Sequence, residues 1–152
     1  MRIAKYRLGA GLTLAVIASM ASAHVTVVPK SSSPGAWEKY DLRMPNEKKI
    51  DTVALDVRFP SNLRVVSFQD EPGWTVKPAY DAAGKITGAR WTGKLPPERF
   101  VEFGLIAVNP KEEGDLVWSA TQTYADGTVV DWSGPEGSKT PAPKVVVKPA
   151  GH

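Results

Sequence analysis

Cysteine is absent from the 152 residues, and histidine occurs only twice, as His24 and His152. Without thiols there is no disulfide framework, zinc finger, iron–sulfur ligand, blue-copper thiolate or cysteine nucleophile. With two imidazoles, a Ser–His–Asp triad would have to recruit His24 or His152, and a two-histidine iron site would need both. His152 is expected in a frayed tail and is a poor candidate for either role. Methionine is scarce too. Met1 and Met20 precede residue 24, so Met44 is the only one beyond it, which excludes a methionine cluster for Cu(I). Long helical periodicity is also missing: no stretch of more than about ten residues carries a 3.6 period free of Pro or Gly.

The charge balance first looks basic, with 19 Lys+Arg against 16 Asp+Glu. Three of those cations, Arg2, Lys5 and Arg7, precede the apolar run Leu8–Met20, which ends in Ala21-Ser22-Ala23. A positive start, an apolar run of about a dozen residues and a small-x-small end form a secretory signal peptide. Such a run is short for crossing about 30 Å of hydrocarbon. Cleavage is therefore expected between Ala23 and His24, with 1–23 the signal peptide and 24–152 the mature domain. The remaining 16 basic residues then match the 16 acidic ones, leaving no electrostatic footprint for nucleic acid. No second run approaches a membrane span, so the mature form is expected to be exported, periplasmic or secreted, with no membrane span.

What remains reads as β-structure. In Thr52–Phe59, Val53, Leu55, Val57 and Phe59 make one face with Asp56 and Arg58 on the other, and Tyr40, Leu42 and Met44 alternate with charged residues in 36–44. Further runs are expected at 24–28, 63–68, 74–80, 85–92, 99–108, 116–124, 128–132 and 144–148. Turn pairs separate them, and Asp126-Gly127 marks a tight hairpin. Eight to ten short strands in one domain predict an antiparallel β-sandwich of immunoglobulin or cupredoxin type.

His24 is the residue with chemistry to offer. As the first mature residue it would carry a free α-amine beside its imidazole. Amine and Nδ1 of one histidine close a six-membered chelate ring, with the Val25 amide within reach. Nitrogens in a plane suit Cu(II). The other N-terminal copper motif needs histidine at position three, where this chain has Thr26, and a two-histidine brace lacks its second internal imidazole.

Ala23-His24-Val25-Thr26-Val27, Pro29, Ala36-Trp37-Glu38-Lys39-Tyr40 and Arg43-Met44-Pro45-Asn46-Glu47 resemble the opening of the YcnI-like family of exported copper-binding domains. Tyr124-Ala125-Asp126-Gly127-Thr128-Val129-Val130-Asp131-Trp132-Ser133-Gly134-Pro135 and Pro141-Ala142-Pro143 resemble its closing motif. The resemblance implies a β-sandwich that binds one Cu(II) per chain through a single-histidine brace. His24 would supply amine and imidazole, Glu47 the carboxylate, and Trp132 a neighbouring indole. It also implies a role in copper homeostasis or trafficking, with a copper transporter or another copper chaperone as partner.

The residues themselves leave rivals open. Glu47 lies in a polar turn, where glutamates are ordinarily solvated. Glu38 shares the register of Tyr40 and Met44, so it needs a partner or is itself the ligand. Trp37, Trp74, Trp91 and Trp118 are expected to serve packing. The expected activity is binding without catalysis. The alternatives are an oxidative copper enzyme of the histidine-brace kind and a metal-free interaction or carbohydrate-binding sandwich.

Overall fold

The computed structural model describes residues 23–151; the expected signal peptide, apart from Ala23, and His152 lie outside the described residues. Every regular element described is a strand. In chain order they are β1 (Thr26–Val28), β2 (Ser31–Ser32), β3 (Trp37–Pro45), β4 (Thr52–Arg58), β5 (Arg64–Phe68) and β6 (Thr75–Tyr80). There follow β7 (Ile86–Leu95), β8 (Phe100–Val108), β9 (Gly114–Val117), β10 (Ser119–Tyr124), β11 (Val129–Trp132) and β12 (Lys144–Val147).

One sheet has the order β1-β3-β8-β5, the other β11-β10-β4-β7-β6, and a small third sheet runs β2-β12-β9. Pairing is antiparallel throughout except between β12 and β2, which run parallel. The fold is the expected β-sandwich, because alternate residues of the two large sheets point at one another. Tyr40, Leu42 and Met44 of β3 meet Leu55 and Val57 of β4, Trp91 of β7, and Phe103 and Leu105 of β8 in one apolar core. Trp118 is fully buried there, edge-on to Tyr40 and Phe59 at centroid distances of 5.6 and 5.5 Å.

Three sequence expectations change. The run 116–124 is two strands, since the chain leaves the third sheet at Trp118, whose N–H donates to the Pro143 carbonyl at 2.9 Å. Period-two alternation continues unbroken across that switch, which hid it. Against β10 the register leaves Val53 of β4 as an extra residue, with Thr52 opposite Tyr124 and Ala54 opposite Thr123. Thr52 turns inward fully buried while Val53 is only half-buried. A bulge of this kind moves one side chain to the opposite face. Trp37 is 65% exposed beneath the Arg64 guanidinium, 5.5 Å from its ring. It occupies the outward register of β3, so it packs no core. Trp74 is half-buried against Phe103 at 4.9 Å.

Candidate metal centre

β1 pairs antiparallel with β3, Thr26 facing Arg43 and Val28 facing Asp41. Continued upstream by two residues, that register sets His24 level with Pro45, the last residue of β3. Val25 and Val27 point into the core, so His24 takes the alternate, half-buried direction. Glu47 is the second residue of the loop beyond β3. Its Oε1 accepts a hydrogen bond from the Ala23 backbone N–H at 2.8 Å. The carboxylate therefore stands at the residue immediately before His24.

Trp132 ends β11, the edge strand of the other large sheet, and its indole faces the His24 ring with centroids 5.5 Å apart at 54°. An edge strand from each sheet thus meets at one seam. The three residues singled out in the sequence, His24, Glu47 and Trp132, are gathered there. Glu38 is not. It sits at the opposite end of β3, about 20 Å along a strand rising about 3.3 Å per residue. The partner it required is Ser32, whose hydroxyl donates to Oε2 at 2.6 Å. Asn109 extends that chain by donating to Ser32 Oγ at 2.8 Å and accepting from the Tyr40 hydroxyl at 2.6 Å.

The loop carrying Glu47 is fixed from within. Asn46 is buried, and its Nδ2 donates to the carbonyls of Ile50 at 2.8 Å and Leu95 at 2.9 Å. Its Oδ1 accepts from the Lys48 N–H at 3.0 Å. Lys48 then reaches over the Tyr124 ring at 4.1 Å and to Thr128 Oγ1 at 3.3 Å, binding the loop to the β10–β11 hairpin. Burial first, and the Glu47 charge second, hold the Tyr124 hydroxyl above the ordinary tyrosine pKa, while a hydrogen bond with Thr52 works the other way.

Chemically the seam offers one imidazole and one carboxylate. Among the described residues no three His, Cys, Asp or Glu side chains gather into a metal-holding group. A metal held here needs a further donor from the backbone, the chain's amine or solvent. A cavity of about 460 Å³ opens on another side of His24, walled by Val117, Pro135, Pro141, Pro143 and Lys144, with neither Glu47 nor Trp132 in its lining. Among the described residues no helix is long and apolar enough to cross a membrane.

Fold and seam define an immunoglobulin-like β-sandwich with its candidate centre at the meeting of two sheet edges. A protein from Nocardia farcinica, its crystal structure described as revealing an immunoglobulin-like fold, superposes with a TM-score of 0.71. The two are 26% identical, over 82% of this chain and 97% of that one. A cohesin–dockerin complex of Clostridium thermocellum shares the fold at a TM-score of 0.54 and 11% identity, over 82% of this chain and 98% of the matched chain. Residues 24–150 match the family described as "Domain of unknown function (DUF1775)", and the chain belongs to that family. It is 33% identical over 123 residues to the "Copper-binding protein CutI" of Bacillus subtilis (strain 168). The match takes in 80% of this chain, which spans about 60% of that relative's length.

Proposed function

We propose that this protein is an exported Cu(II)-binding domain that buffers or passes on one copper ion per chain. The observation that carries the reading is the seam itself. His24 is the expected first mature residue, its ring stands 5.5 Å from Trp132, and the Glu47 carboxylate reaches the residue just before it. Similarity to a relative named as copper-binding supports the choice of ion. Removal of residues 1–23 gives His24 its free amine, so amine and imidazole chelate the ion and Glu47 adds an oxygen. Tetragonal N,O coordination suits Cu(II). No thiolate or thioether joins the set, so reduction to Cu(I) weakens the hold and provides a release step toward a transporter or another chaperone.

Cu(II) must displace the protons of the amine and imidazole, so affinity falls as pH drops through their titration. The role is carriage, without a reaction performed on a substrate. Electron paramagnetic resonance tests this, on protein beginning at His24 and on the same protein with one added N-terminal alanine. A tetragonal spectrum with nitrogen couplings that the added residue abolishes is the expected result. Identical spectra from both proteins would refute the chelate.

A further inference from the structure

Gln122 lies at the centre of β10 with 1% of its surface exposed. Its position shares the inward register of Leu116, Trp118 and Ala120, all buried and apolar. An apolar side chain would satisfy packing there, so a carboxamide must answer to something polar. Each of its heavy polar atoms does. Oε1 accepts from the Trp132 indole N–H at 3.2 Å. Nε2 donates to the Pro45 carbonyl at 2.9 Å and to Thr52 Oγ1 at 2.9 Å. The orientation is unambiguous, because an indole N–H only donates and a peptide carbonyl only accepts.

Those partners are not scattered. Pro45 ends β3 and Thr52 begins β4, so they are the two shoulders of the loop that carries Glu47. Trp132 is the wall against His24. At the β4 bulge, where Val53 is the extra residue against β10, the Thr52 hydroxyl faces inward and meets the amide. A single buried side chain therefore ties the indole on one edge of the seam to the carboxylate-bearing loop on the other.

We infer that Gln122 is a positioning residue that sets the spacing between Trp132 and the Glu47 loop, and so the geometry in which a metal at His24 meets the Glu47 oxygen. The inference rests on the copper reading above, and part of its test needs no copper. Groups hydrogen-bonded directly to a metal's ligands typically govern affinity by ten- to a hundredfold. Gln122 bonds to the wall and the loop shoulders and touches neither His24 nor Glu47, so its effect belongs at or below the lower end of that range.

The test uses protein beginning at His24 with Gln122→Met, which keeps the length of the side chain and removes its polar atoms. In the metal-free protein, amide exchange at residues 46–51 should speed up about tenfold relative to the centre of β3. Cu(II) should then bind more weakly, by up to about tenfold, with the amine and imidazole nitrogen couplings retained. Added to Glu47→Gln, the substitution should cause no further loss, because it acts through that carboxylate. Unchanged exchange in the loop, or losses that simply add in the double variant, would overturn the role. Thr52→Val removes only one acceptor and keeps the shape; it should give the same loop response in smaller degree, and decides the matter if Gln122→Met does not fold. Copper binding that is absent from the unsubstituted protein, or untouched by His24→Ala, would instead sink the copper reading and leave the loop exchange to report on Gln122.

Discussion

The imidazole of His24 and the indole of Trp132 face each other at 5.5 Å across the line where two sheet edges meet. A paramagnetic ion held by that imidazole lies within quenching range of the indole. Titration with Cu(II) should therefore quench part of the fluorescence of the five tryptophans. His24→Ala and Trp132→Phe should each remove most of that change. A quench that survives both substitutions would place the ion elsewhere.

Asn46 is the second anchor of the Glu47 loop. Asn46→Ala leaves the Ile50 and Leu95 carbonyls and the Lys48 N–H without their partner. Losing buried partners of this kind costs about 1–3 kcal/mol. Urea unfolding should show that loss as a lower midpoint with an unchanged slope. A midpoint equal to that of the unsubstituted protein would mean water replaces the amide without cost.

Tyr40 gives a pH dependence whose sign is fixed. Burial is the main cause that raises its pKa above the ordinary value of 10.0; the nearby Glu38 charge adds to it, and hydrogen bonds with Ser32 and Asn109 oppose it. The unfolded chain therefore releases this proton at a lower pH than the folded one. Its contribution is fully present below about pH 10 and is lost as pH rises from the ordinary tyrosine value through the folded one. The unfolding midpoint should fall as pH rises above about 10, the ordinary tyrosine value, and Tyr40→Phe should flatten that decline.

Strand periodicity made most of the sandwich readable. Leu55, Val57 and Phe59 are buried as their alternation requires, and Asp126-Gly127 forms its turn with Gly127 at φ 83°, a conformation glycine adopts without strain. Bulges carry no such signature, so the inward turn of Thr52 could not be read from the pattern in β4. Gln122 was accessible in principle. Carrying the period of Leu116 and Trp118 two steps beyond Ala120 lands on it, but Ser119–Tyr124 alternates small and polar residues and does not declare which face is dry. His24, Glu47 and Trp132 were named through resemblance, and Trp132 in particular has nothing in its own neighbourhood to set it apart from the other tryptophans. What joins them is a seam between sheets, and a seam has no linear motif.

The seam draws on the start of the chain, on the loop after β3 and on the end of β11. The cavity beside it takes its wall from Pro135 to Lys144. β12, the last strand, lies between β2 and β9 and so closes the chain's end onto its beginning. No fragment that stops short of β11 can assemble this centre, however well its early strands pair. Whatever ion is held there consequently favours chains that have completed β11 over shorter ones, and occupancy becomes a mark of folding that has reached that strand.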